Sequence, residues 1–169
     1  MYIGYQGNKI KFYVSQPFNE PTIEKWEETD QEYVLFGDEY VLKTDPAMLE
    51  DTKEKKYQEC LEKAYIFQQN GVVEYKNCEF EMSDSNRKNL SDTEEALKLM
   101  GQESTIWNDK EDNLVELTLE DIQYIRLNLI LARIQKLWIE QYPAYKQEIA
   151  EAETIEEVES IEIDYTIGE

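Results

Sequence analysis

The 169-residue sequence predicts an α+β fold: N-terminal antiparallel β-hairpins, a linking helix, then two β-hairpin-plus-helix units around a central apolar helix. Three observations carry the prediction. Alternating apolar and polar runs, separated by two-residue turns, occupy the first 43 residues. A pattern of hairpin followed by helix occurs twice after Val72. Finally, Thr118–Gln141 is apolar on so many sides that other elements must cover it.

Taken in order, Tyr2-Ile3-Gly4-Tyr5 and Ile10–Val14 flank Gly7-Asn8, a pair suited to a tight hairpin turn. Pro17 and Pro21 bracket a loop, and Glu24 to Thr29 is read as one helical turn. Glu32–Phe36 and Glu39–Lys43 flank Gly37-Asp38, the clearest hairpin in the chain. Asp45-Pro46 supplies an N-cap with proline at the first helical position. The helix it opens runs to Gln69 and stops at Asn70-Gly71, with Tyr57, Cys60, Leu61, Ala64 and Phe67 as its apolar side.

Val72–Tyr75 and Glu79–Met82 make the next hairpin, followed by a helix over Asp84–Met100 that Gly101 stops. Ser104–Trp107 and Leu114–Leu117 repeat the hairpin, and the central helix follows. Thr118 caps it, with Asp121 three residues on in a near capping box. Its apolar set includes Ile122, Ile125, Leu127, Leu129, Leu131, Ile134, Trp138 and Ile139. Ile125, Leu129 and Trp138 are expected to be buried; a bare face would instead mark an oligomeric interface. A narrow polar strip holds Arg126, Arg133 and Lys136, expected to pair with nearby carboxylates. Pro143 is expected to break the helix, Ala144–Ala152 to restart it, and Thr154–Ile161 to form a short capped helix. The segments are therefore 1–44 (hairpins), 45–71 (connecting helix) and 72–169 (an α+β domain with an acidic tail).

Composition narrows the function classes. A 41% hydrophobic content with twelve tyrosines predicts a folded core despite a net charge of −21. No apolar run is long enough to span a bilayer, and the N-terminus lacks the basic and apolar regions of a signal peptide. Cys60 and Cys78 form no metal or redox spacing, so an intracellular, reduced protein is expected. The negative charge disfavours direct contact with nucleic acid or an anionic membrane and favours a basic protein surface.

The second half resembles a domain of unknown function found at the C-terminus of phage tail and tail-fibre-associated proteins. The resemblance rests first on Phe80-Glu81-Met82-Ser83-Asp84-Ser85-Asn86-Arg87-Lys88-Asn89-Leu90, a hairpin entering a helix through a Ser/Asp-rich cap. Asn86 stands where the family's pattern has serine before the arginine. Trp107 before a polar loop, Val115–Ile122 and Ile149–Val158 are further landmarks, and the likeness covers about residues 72–165. It implies a phage or prophage origin and a virion-assembly setting, in the host-cell cytoplasm or the virion. It carries over no catalytic residue.

Sites for chemistry are sparse. Histidine is absent, which removes the commonest general base and a favoured zinc ligand. Asp109, Glu111, Asn113 and Glu120 fall at positions 1, 3, 5 and 12 of a calcium-loop pattern. Leu114 replaces its required glycine and Glu116 an apolar position, so a hairpin loop is the better reading. Cys78 has no flanking cation to make it reactive. No catalytic residue, cofactor or metal is expected.

The candidate partner-binding residues are the carboxylates of the acidic tail: Glu148, Glu151, Glu153, Glu156, Glu157, Glu159, Glu162 and Asp164. Two readings follow. One is a tail-fibre or tail-assembly accessory protein acting by protein–protein contact. The other is an acidic nucleic-acid mimic that blocks a host nucleic-acid-binding effector, as anti-CRISPR proteins of phages do. Both need a protein partner with a basic surface.

Overall fold

The computed structural model describes residues 1–166. The fold is α+β, with N-terminal antiparallel hairpins, a helix, and then two hairpin–helix repeats built on a central helical run.

The chain forms two compact units, each described by itself. The first holds Met1–Lys55 and Ala152–Ser160; the second holds Lys56–Glu151 and the segment from Ile161. This division differs from the one drawn by composition. The acidic segment is shared between units, and the long helix α1 (Pro46–Asn70) contributes residues to both.

In the first unit, β1 (Tyr2–Gln6) pairs with β2 (Lys9–Val14) across Gly7, whose φ of 62° suits a glycine. The opposite edge of β1 takes β3 (Lys25–Glu28), giving the order β2-β1-β3. The helical turn expected at Glu24–Thr29 is thus a strand. Trp26 decides it: its ring lies 6.1 Å from Phe12 and 5.4 Å from Phe18, and only an extended Lys25–Glu28 can present it there while pairing with β1. Gly4 is small because the Trp26 ring lies over it. β4 (Tyr33–Phe36) and β5 (Glu39–Leu42) form the second hairpin around Gly37, again left-handed at φ 64°. Asp45 caps α1 by accepting the Ala47 N–H at 2.9 Å.

The second unit contains both repeats. β6 (Val72–Tyr75) and β7 (Cys78–Glu81) turn through Lys76 and Asn77, both with positive φ. α2 (Asp84–Met100) follows, capped by Ser83 and closed by left-handed Gly101. β8 (Ser104–Asn108) and β9 (Leu114–Thr118) make the second hairpin. The central run then comprises α3 (Leu119–Tyr124), a π-helical segment Ile125–Leu131, α4 (Ala132–Lys136), a second π-helical segment Leu137–Gln141, and α5 (Tyr142–Glu151).

Pro143 does not break this run, contrary to expectation. Tyr142 donates its N–H to the Leu137 carbonyl, the i→i−5 bond of a π turn. The missing proline N–H therefore falls where the i→i−4 ladder is already changing register. The last helix is α6 (Ile155–Ser160), in the first unit.

Two apolar clusters fill the second unit. Phe80, Met82, Leu90, Leu97, Leu117, Ile122, Ile125, Ile130 and Ile134 join the two repeats. Cys60, Ala64, Leu137, Ile149, Ile161, Ile163 and Tyr165 form the other. Trp107 packs on the first, while Trp138 touches both and donates its indole N–H to Gln68 at 2.6 Å. Ile125 is fully buried; Leu129 and Trp138 are half-buried.

Candidate interaction surface

All eight carboxylates of the acidic segment are exposed. The fold does not gather them into one unit: Glu153, Glu156, Glu157 and Glu159 belong to the first, and Glu148, Glu151, Glu162 and Asp164 to the second. Several also hold local structure. Thr154 caps α6 by accepting the Glu157 N–H, and the Glu157 carboxylate accepts the Thr154 and Glu153 N–H groups, a reciprocal capping box. Glu156 meets Lys43 at 2.6 Å, and hydrogen bonding from that ammonium lowers its pKa. Asp164 accepts from the backbone and side chain of Thr166. Glu151 accepts from Gln147. Glu148, Glu153, Glu159 and Glu162 hold no cap or ion pair among the described residues.

The segment after α6 packs by alternation. Ile161, Ile163 and Tyr165 point inward while Glu162 and Asp164 face solvent, the period of two of an extended chain. The Tyr165 hydroxyl lies 2.9 Å from the Cys60 sulfur and donates to the Cys60 carbonyl at 3.0 Å. Burial raises both the tyrosine and the cysteine pKa values, leaving a neutral thiol and a neutral phenol as structural partners. The Ile-Glu-Ile-Asp-Tyr pattern carries this in the sequence, but the density of charge around it hides it.

Two buried carboxylates fasten the repeats. Asp121 completes the capping box with Thr118 and accepts from the Tyr75 hydroxyl and the Lys76 ammonium, each at 2.7 Å. Burial opposes its ionisation, but Lys76, Tyr75 and the Thr118 N–H together hold its pKa well below the carboxylate range. The turn of the first hairpin is thereby tied to the start of the second helix. Glu94 of α2 receives Lys98 at 2.5 Å, Gln123 at 2.8 Å and Arg126 at 2.6 Å. It too is held below its ordinary range: burial opposes ionisation, and these three donors outweigh it. Of the three cations on the central run, Arg126 thus finds a carboxylate, and Arg133 lies over the Phe67 ring at 5.3 Å. Arg133 and Lys136 line a groove of about 550 Å³ between β6 and the central run.

The calcium-loop pattern resolves into a turn. Asp109 accepts the N–H groups of Glu111 and Asn113 and the Asn113 side-chain amide, so its carboxylate organises the hairpin loop. No group of three or more metal-ligating side chains occurs among the described residues. Cys78 is raised in pKa by burial and by Asp109.

One surface was not legible as a site in the sequence. The central run is not covered on all its apolar sides: Ile139 is 70% exposed, Leu127 and Tyr124 44%, and Leu131 38%. The exposed positions between Glu120 and Glu140 are Tyr124, Leu127, Asn128, Leu131, Ala132, Gln135 and Ile139, and none carries a charge. The signal available was an absence of charge at every fourth position, which the buried apolar residues around it mask.

No family model, curated protein or solved structure matches the chain. No helix among the described residues is long and apolar enough to cross a membrane.

Proposed function

We propose that the chain is a non-catalytic phage or prophage protein acting by protein–protein binding, as a tail-fibre or tail-assembly accessory protein. The observation that carries the reading is what the residues of the phage-tail resemblance do. Ser83 caps α2, Asn86 donates its side-chain amide to the Glu81 carbonyl at 2.7 Å, and Leu90 is fully buried. Thr118 and Asp121 form a capping box, Ile122 is fully buried and Trp107 packs on the core. These residues hold the scaffold of the second unit, which supports the reading of a module whose work is done by its surface.

A second reading keeps the protein as an acidic mimic that occupies the nucleic-acid site of a host effector. The exposure of all eight tail carboxylates, in a chain of net charge −21, supports it. A pull-down from infected or lysogenic cells, followed by titration of the recovered partner across ionic strength, separates the two. The assembly reading expects a tail component held with weak salt dependence. Recovery of a nucleic-acid-binding host protein whose affinity collapses with salt, and with lysine at Glu148, Glu153, Glu159 and Glu162, would overturn it in favour of mimicry.

A further inference from the structure

We propose that the outer edge of β6 docks one extended segment of a partner protein, apolar where it faces the central run and basic where it lies beside Glu74. The inference deepens the protein-binding reading, on which it rests, by naming the element that binds and the form of what it takes.

The backbone register selects a strand as the occupant. In an antiparallel pair, residues that bond across the ladder alternate with residues that turn their N–H and C=O away from it. Met82 donates its N–H to the Gly71 carbonyl at 2.8 Å, which makes these two a bonded pair. Counting on through the register, Val73 and Tyr75 bond to β7, while Val72 and Glu74 turn outward. β7 follows the same phase: its outward Glu79 carbonyl accepts the Lys110 N–H at 3.0 Å, so the chain covers that edge itself. At the β6 edge, no backbone bond among the described residues reaches Val72 or Glu74. Their N–H and C=O groups stand open along a strand about 13 Å long at about 3.3 Å per residue. Another extended backbone presents donors and acceptors at that spacing, and a helix or a compact ligand does not. The edge also lacks the usual guards against pairing, since Val72–Tyr75 holds no proline, lysine or bulge.

The groove beside this edge sets the side chains. It encloses about 550 Å³ between β6 and the central run, with Val73, Leu129 and Ala132 among its walls. An added strand sends alternate side chains to opposite faces. Those on the Val73 face enter the groove, where apolar groups leave water and the neighbouring Arg133 and Lys136 repel a cation. Those on the other face run beside the exposed Glu74, where a cross-strand cation is favoured. A chain of net charge −21 attracts the same basic strand from a distance and repels a second copy of itself.

The test pairs the full chain with a capped peptide alternating lysine and valine. Its control is the fully N-methylated peptide, which keeps charge and side chains but loses every backbone donor. Calorimetric titration at about 0.15 M salt should show binding, and binding of the N-methylated control about tenfold weaker. In amide hydrogen exchange, saturating peptide should slow Val72 and Glu74 about tenfold and leave β2 and β3, the edges of the other sheet, unchanged. Ala132→Phe fills the groove from an exposed position, and should weaken binding about tenfold with circular dichroism unchanged. Glu74→Lys should weaken the lysine peptide and favour one alternating glutamate and valine. Equal binding of the N-methylated control would reduce the effect to charge attraction and overturn the proposal. So would no detectable binding, protection of β3 in place of β6, indifference to Ala132→Phe, or a dimer of the chain alone that the peptide dissociates. These results do not depend on the pull-down, whose outcome bears on the wider reading alone.

Discussion

The two hairpin–helix repeats of the second unit start alike and end differently. Each hairpin delivers the chain to a side-chain N-cap, Ser83 in the first and Thr118 in the second. Each helix then packs its apolar side into the same cluster. The first repeat stops at Gly101, after a helix whose outward face is polar apart from Leu99 and Met100 near its end. The second runs on past two π-helical segments and a proline, reaches the second cluster through Leu137 and Ile149, and leaves an uncharged face bare. One copy of the motif is a closed structural piece. The other supports both cores and keeps a surface in reserve, and its irregular turns are what let it do so.

Deep truncation should show how unequal the repeats are. Ile125→Ala empties a fully buried position in the π-helical segment and should cost about 2–5 kcal/mol in chemical denaturation. Leu131→Ala, on the bare side of the same segment, should cost well under about 1 kcal/mol. Equal losses would mean that the face is packed and the contrast false.

The caps sharpen the comparison next. Asp121→Ala removes a reciprocal cap and the acceptor for both Tyr75 and Lys76, and should destabilise by about 2–3 kcal/mol. Ser83→Ala removes a longer bond, 3.3 Å to Asn86, and should cost about 1 kcal/mol. A reversed order in urea midpoints would contradict the role given to Asp121 as the tie between repeats.

Acidity probes the same tie. The Asp121 and Glu94 pKa values are depressed in the folded state. Their contribution is therefore present above the unfolded carboxylate pKa of about 4 and is lost as pH falls toward the lower folded values. Thermal unfolding of Asp121→Asn should lose less stability than wild type between about pH 4 and pH 2. Parallel acid limbs would show that the carboxylate does not couple to folding.

The smallest effect belongs to the stop signal. Gly101 sits at φ 65° with open space where a methyl group would stand, so Gly101→Ala should cost about 1 kcal/mol through backbone strain alone. Pro143→Ala, in the helix that ends the second repeat, should leave urea midpoints within about 0.5 kcal/mol of wild type, since the ladder there is already shifted.

Local chemistry is what the amino-acid order settles unaided. Gly7 and Gly37 place the turns, Asp45, Ser83, Thr118 and Thr154 start helices, and Gly101 ends one, because each choice is made within a few residues by sterics or a single hydrogen bond. The repeated hairpin–helix order was legible for the same reason. Tertiary packing decided the rest. Lys25–Glu28 is a strand because Trp26 has aromatic neighbours distant in sequence to meet. Pro143 is tolerated because the preceding turn is π-helical, a choice no propensity scale contains. The acidic segment was visible as charge, but only folding assigns Glu157 to a cap, Glu156 to Lys43 and Ile161, Ile163 and Tyr165 to the core. The bare face of the central run was hidden longest. Periodicity can say that a helix is apolar on many sides, but which of those sides is covered depends on how many elements remain to cover them, and that is set by the packing of the whole unit.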